Sequence, residues 1–218
     1  MKYPILGRER RRPIALSAVG TVLVLAFACV LFTLTVLAIQ PGLLPDTLAA
    51  FWEDKLLIPL NIFPVCVVLI VCYCLTGNAF SAAGIGGLIV NLLSYINLIK
   101  TDCRNDPFVP ADCALLREAA NAVGDYQLDL HWGTLAAILL LSAVCFALAY
   151  WSRARRPRWY VRSIMALVVL AVFGASMVKV YPSEDIYDRR GVGIVKVSKS
   201  NVPEVFRLCG FPYCFLHN

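Results

Sequence analysis

The chain has 218 residues, of which 60% are hydrophobic and 16% are charged, with a net charge of +6 and a mean hydropathy of +0.73. Soluble domains are about 45–50% apolar and about 25% charged, so this composition excludes a soluble globular protein. It also excludes disordered and collagen-like chains, which need more polar or glycine-rich sequence. The composition predicts an all-α, polytopic integral membrane protein.

Four stretches of the chain carry no Asp, Glu, Lys or Arg, and they are residues 13–45, 56–99, 132–152 and 163–178. A membrane-spanning helix needs roughly 20 apolar residues. The second stretch is long enough for two helices and has turn residues at 76–78, so it predicts two spans. We therefore predict five transmembrane helices in a membrane domain over residues 1–180, at about 14–39, 57–75, 79–99, 132–151 and 160–180.

Basic residues predict the orientation of this domain. Five precede the first span: Lys2, Arg8, Arg10, Arg11 and Arg12. Five more lie between the last two spans or at the start of the last one: Arg153, Arg155, Arg156, Arg158 and Arg162. Five spans place both groups on one side of the membrane, and the positive-inside rule makes that side cytoplasmic. The N-terminus is therefore predicted in the cytoplasm and the C-terminus outside a cell membrane.

Three segments are then predicted to be extracellular. Residues 41–55 form a short loop, and residues 181–218 form a tail or linker. Residues 100–131 are longer and acidic, and the pattern at Pro110–Val123 predicts a short amphipathic helix that begins with a proline and has Asp112 in its first turn.

The end of the third span is unusually polar, with Asn97 and then Lys100 and Arg104 in the outer leaflet, followed by Asp112. These residues support two interpretations. The basic residues extend to the interface and form a surface ion pair, or the four side chains bind an anionic lipid headgroup. Earlier in the same span, Gly84, Gly86 and Gly87 predict close helix packing.

The cysteines and histidines indicate no metal site in this chain. Cys103, Cys113, Cys209 and Cys214 lie in the predicted extracellular segments, where oxidation is feasible. Pairing of Cys209 with Cys214, or of Cys103 with Cys113, is one hypothesis, because four cysteines allow three connectivities. The two histidines fit no zinc pattern, and the arginine clusters beside spans indicate membrane topology rather than nucleic-acid binding.

Two motifs resemble those of a known family. The stretch Asn97-x-x-Lys100-x-x-x-Arg104-x-x-Pro107-x-x-Pro110-x-Asp112 is similar to the loop after the third helix of the lipoteichoic acid synthase and phosphoglycerol transferase family. The stretch Cys209-Gly210-Phe211-x-x-Cys214-Phe215-Leu216-x-Asn218 resembles the segment before that family's catalytic domain. The predicted five helices and cytoplasmic N-terminus also match the membrane region of that family.

The resemblance implies a bacterial membrane protein of the alkaline phosphatase superfamily. The family transfers glycerol phosphate from phosphatidylglycerol to an acceptor. Its chemistry belongs to an extracellular sulfatase-type domain with a threonine nucleophile and Mn²⁺ or Mg²⁺. This sequence carries none of those catalytic residues, so it is expected to be an inactive membrane-anchoring region that binds lipid and needs a downstream catalytic domain or a partner membrane protein.

Two other functional classes fit the same composition. A small transporter or channel subunit is one, although no acidic residue lies in the middle of a span and no inverted repeat is visible. A membrane scaffold protein is the other, and the glycines at 84–87 are the feature that favours it.

Overall fold

The computed structural model describes residues 14–40, 44–104, 106–115, 130–154, 157–182, 206 and 209–217. The described helices are α1 Ala18–Ile39, α2 Leu44–Glu53, α3 Leu57–Thr76, α4 Ala79–Arg104, α5 Trp132–Trp151, α6 Trp159–Lys179 and α7 Phe211–His217. A 3-10 helix covers Pro110–Leu115, and two short strands, β1 Ile14–Leu16 and β2 Ser152–Ala154, pair in parallel.

Five of these helices, α1, α3, α4, α5 and α6, are long and apolar enough to cross a membrane. Large apolar side chains on their outer surfaces are exposed, and Phe27 and Leu167 are each 70% accessible. Exposing such an apolar surface to water is unfavourable, whereas the hydrocarbon of a bilayer solvates it. The helices satisfy their own backbone hydrogen bonds, as a bilayer requires. The chain is therefore an all-α polytopic membrane protein, which confirms the predicted fold class.

The predicted first span begins too early. Residues 14–16 form β1 and pair with Ser152–Ala154, with Ile14 opposite Ser152. The helix starts after Ser17, whose hydroxyl accepts a hydrogen bond from the backbone N–H of Gly20 at 3.0 Å. A serine cap of this kind satisfies an amide that has no partner within the helix and so fixes the helix start.

Two further boundaries differ from the sequence prediction. The segment predicted as a short loop at 41–55 contains the ten-residue helix α2, in which Pro45 occupies the first turn, where proline is well tolerated. Helix α4 also continues five residues beyond Ile99 and ends at Arg104, where a basic residue complements the helix dipole. The predicted helix at 110–123 is described only to Leu115, as a 3-10 helix, and its remainder lies outside the described residues.

Helix α4 forms the centre of the bundle. Gly87 faces Phe32 of α1, Gly86 faces Leu69 of α3, and Gly84 faces the Phe146 ring of α5. A Cβ at Gly87 would stand 2.1 Å from a ring carbon of Phe32, so only glycine permits this approach. The predicted close packing at these glycines is confirmed.

The two ends of the bundle differ in construction. One end, called the β face below, contains β1, β2 and the turn between α3 and α4. Gly77 there has a φ of 68°, and the Asn78 side chain donates to Ser152 Oγ at 3.2 Å. The opposite end, called the α7 face below, contains Gln40, the end of α4 with residues 106–115, the start of α5, and α7.

Candidate functional site

The polar end of α4 joins three parts of the α7 face. Asn97 is 2% exposed, and its Nδ2 donates to Gln40 Oε1 at 2.8 Å. Its Oδ1 accepts from the backbone N–H of Phe108 at 2.7 Å. Gln40 in turn donates to Ser94 Oγ at 3.0 Å, and Ser94 Oγ donates to the Val36 carbonyl at 2.9 Å. Asn97 therefore holds both the end of α1 and the loop after α4 against α4.

Lys100 closes that loop. Its Nζ donates to the Pro107 carbonyl at 2.9 Å and to Asp112 Oδ2 at 2.7 Å, and it lies 3.1 Å from Asp106 Oδ2. Two of the three N–H donors of the ammonium group therefore have acceptors within the protein, and Asp106 adds a second carboxylate charge beside it. Asp112 Oδ2 also accepts from the Val109 N–H at 2.8 Å. These contacts hold residues 106–112 against the end of α4.

The four residues predicted to bind a lipid headgroup therefore divide into two kinds. Asn97, Lys100 and Asp112 are drawn together into the loop, where their contacts favour a structural role. Arg104 ends α4 and is exposed. The surface ion pair that was the alternative interpretation of Lys100 is present, and the headgroup role of the four residues stays a prediction.

The segment at 209–217 packs into the bundle, which the description as a tail or linker did not anticipate. Asn61 of α3 donates from Nδ2 to the Cys209 carbonyl at 2.8 Å, and its Oδ1 accepts from the Tyr213 N–H at 3.2 Å. Gly210 has a φ of 87°, and a Cβ there would stand 2.4 Å from Asn61 Oδ1. Two signals in the sequence pointed to this contact: a lone asparagine in an apolar span, and the aromatic run from Phe211.

Aromatic rings then connect this segment to the loop after α4. The Phe108 and Phe215 rings are stacked, with centroids 5.7 Å apart and planes 11° apart. On the other side of α7, the Tyr181 hydroxyl donates to the Leu60 carbonyl at 2.9 Å, and its ring lies 5.9 Å from the Tyr213 ring. Burial raises the pKa of the Tyr181 phenol, so it remains a neutral donor.

A side-chain hydrogen bond links the start of α5 to the end of α4. His131 Nε2 lies 2.8 Å from Asp102 Oδ2, and the two side chains are 46% and 35% exposed. Because both groups are partly hydrated, the contact positions the helix ends more than it stabilises the fold.

The cysteines leave the predicted pairing open. Cys209 and Cys214 are buried as thiols, and Cys103 is exposed. The side chain of Cys113 lies outside the described residues. The disulfide hypothesis for these four cysteines therefore stays a prediction.

The part of the chain that the structure describes holds no cluster of three or more His, Cys, Asp or Glu side chains able to bind a metal ion. The Mn²⁺ or Mg²⁺ that the family resemblance implies for a catalytic domain stays a prediction about that domain.

No family model, no curated protein and no solved structure matches this chain. Its function is therefore inferred from the contacts and charges of the α7 face, together with the motif resemblance.

Proposed function

We propose that the chain is the membrane-anchoring region of a lipoteichoic-acid-synthase-like phosphoglycerol transferase in a bacterial cell membrane, inactive by itself. The observation that supports this proposal is the meeting of the two motif-bearing segments. Residues 97–112 and 209–217 lie on the same face of the bundle and touch through Phe108 and Phe215. A domain attached beyond α7 would then be held close to the headgroups of one leaflet.

The proposed orientation places the β face in the cytoplasm and the α7 face outside. In the sequence, basic residues precede β1 and follow β2, the two strands that mark the β face, so the positive-inside rule supports this direction. The α7 face carries the carboxylates of Asp102, Asp106 and Asp112.

Reporter fusions test this orientation. A fusion at Arg155, between α5 and α6, should report a cytoplasmic location, and a fusion at Ser198 should report an external one, because an odd number of spans separates the two ends of the chain. Paired alkaline phosphatase and green fluorescent protein reporters give opposite signals on the two sides and serve as mutual controls. An external signal at Arg155 would contradict the proposed orientation.

Arg104 is the residue to which we assign contact with an anionic headgroup. Lys100 already donates to the Pro107 carbonyl and to Asp112, and its charge is also paired with Asp106. Arg104 is exposed at the end of α4 and already contacts another group, but its planar guanidinium fork has five N–H donors, enough to bind a phosphate as well. Phosphatidylglycerol is the ligand that the motif resemblance implies, and its phosphate suits this fork.

Lipid preference in nanodiscs tests this assignment. We expect Arg104→Ala to lower the preference for phosphatidylglycerol over phosphatidylcholine about tenfold, the value of one charge-assisted hydrogen bond of ~1.5 kcal/mol. Arg158→Ala is the matched control, since Arg158 is an exposed arginine at the β face that donates to the Tyr160 hydroxyl. Equal losses in the two variants would indicate diffuse electrostatic attraction and remove the site.

A further inference from the structure

Pro64 leaves a gap in the backbone hydrogen bonding of α3. In an α-helix each carbonyl accepts from the N–H four residues later. For the Leu60 carbonyl that residue is Pro64, which lies inside α3 and has no N–H to donate. A helix that crosses a membrane tolerates such a proline where a neighbouring group satisfies the freed carbonyl. The Leu60 carbonyl therefore needs a donor from elsewhere in the chain.

Tyr181, two residues beyond the end of α6, supplies that donor. Its hydroxyl donates to the Leu60 carbonyl at 2.9 Å, and the residue is 1% exposed. Helix α6 packs against α3, where the ring centroids of Phe63 and Phe173 are 6.2 Å apart. A tyrosine 121 positions away in the sequence thus takes the place of the N–H that residue 64 lacks.

The segment at 209–217 holds Tyr181 in this position. His217 Nδ1 is hydrogen-bonded to the Tyr181 carbonyl, and because a carbonyl only accepts, Nδ1 carries the proton. The ring of Tyr213, which is 0% exposed, lies 5.9 Å from the Tyr181 ring. The segment therefore contacts the tyrosine at its backbone and at its ring, and both contacts are lost if the segment leaves the bundle.

The same turn of α3 also contacts the segment directly. Asn61 is 0% exposed, donates to the Cys209 carbonyl at 2.8 Å and accepts from the Tyr213 N–H at 3.2 Å. The turn of α3 that precedes Pro64 is therefore joined to the segment in two ways, once through Tyr181 and once through this asparagine.

We propose that the segment at 209–217 is a strap that closes the proline gap in α3. With the strap docked, Tyr181 satisfies the Leu60 carbonyl; with the strap displaced, that hydrogen bond is lost and α3 opens around Pro64, the kind of position at which helices bend. Coupling of this kind is reciprocal, so a partner that pulls on the strap weakens α3, and opening of α3 loosens the strap. The strap carries an event at the α7 face into the bundle. This inference does not rest on the proposed anchoring role, because it uses only contacts within the chain.

Hydrogen–deuterium exchange of the full chain in nanodiscs, followed by mass spectrometry, tests the proposal. We expect Tyr181→Phe to raise the opening equilibrium of residues 209–217 about threefold to tenfold, the value of one neutral hydrogen bond. In a Pro64→Ala background residue 64 has an N–H for the Leu60 carbonyl. The same Tyr181→Phe change should then raise the opening equilibrium less than about twofold, which completes a double-mutant cycle.

Pro59→Ala is the matched control for Pro64→Ala. Pro59 lies in the first turn of α3, where an N–H has no partner within the helix, so this variant leaves the Leu60 carbonyl without a helical donor. Tyr181→Phe should therefore keep its full effect in the Pro59→Ala background. Helical content measured by circular dichroism verifies that each variant is folded.

Displacing the strap tests the coupling in the reverse direction. A Cβ at Gly210 would stand 2.4 Å from Asn61 Oδ1, and the φ of 87° strains any other residue there, so Gly210→Val is incompatible with the docked position. We expect faster exchange at residues 209–217 and also at residues 61–68 of α3. Adding Pro64→Ala should restore the protection of residues 61–68 but not that of the strap.

Three results would overturn the proposal. One is an equal effect of Tyr181→Phe with and without Pro64→Ala. Another is unchanged exchange of residues 209–217 in a folded Tyr181→Phe variant. The third is unchanged exchange of residues 61–68 in the Gly210→Val variant. None of them bears on the reporter or Arg104 experiments, so the two proposals fail separately.

Discussion

Helix α4 carries two buried asparagines that both lie between apolar residues in the sequence. In the structure they differ in how many of their hydrogen-bonding groups have partners. Asn91 and Asn97 are 1% and 2% exposed and lie six residues apart, about 9 Å along the helix. Both ends of the Asn97 amide are paired, with Gln40 and with Phe108. Only the amino end of Asn91 is paired, and its Oδ1 has no hydrogen-bond partner among the described residues.

The difference shows that a polar residue within the membrane does not mark a functional site by its burial alone. A buried amide that is fully hydrogen-bonded adds stability and specifies how helices and loops pack. A buried acceptor without a partner lowers stability, because it loses its hydrogen bond to water on folding and gains no other. Asn97 belongs to the first kind and Asn91 to the second.

Asn61 of α3 is a third buried asparagine and should show the largest effect on stability. Asn61→Leu leaves the Cys209 carbonyl and the Tyr213 N–H without their partner at a buried position. At about 1–3 kcal/mol for each unsatisfied group, we expect a loss of about 2–6 kcal/mol in the free energy of unfolding. Chemical denaturation in detergent measures this loss.

Proteolysis gives this prediction an independent readout. Release of residues 209–217 from α3 should make them accessible to protease in the Asn61→Leu variant before the helices unfold. Asn91→Leu, the same substitution at an equally buried asparagine, is the control and should leave that segment protected. If the Asn61 variant kept both wild-type stability and wild-type protection, the contact between α3 and α7 would not anchor the segment.

The sequence predicts the spans well because their signal is local. Charge-free stretches determine where helices cross, so α5 at Trp132–Trp151 agrees with prediction at both ends and α3 differs by one residue. The early start predicted for the first span reflects apolar residues at 14–16 that pair with β2 instead. Hydropathy alone does not separate a short apolar strand from the first turn of a helix.

The candidate site was only partly predictable because its contacts are distant in sequence. The polar end of α4 identified Asn97, Lys100 and Asp112 as a group, and they lie within 15 residues of one another. The contact of Asn61 with Cys209 joins residues 148 positions apart, and no periodicity reports such a contact. The packing of α1 and α5 against the α4 glycines depends on helix spacing, which a single sequence does not specify.

The most direct test of the account compares the unfolding free energies of Asn97→Leu and Asn91→Leu in the same lipid nanodisc. Asn97→Leu leaves Gln40 Oε1 and the Phe108 N–H unpaired, so we predict a loss of about 2–4 kcal/mol. Asn91→Leu removes an acceptor that already lacks a partner, so we predict a change smaller than about 1 kcal/mol. Equal losses, or a larger loss for Asn91→Leu, would contradict the distinction between the paired and the unpaired asparagine.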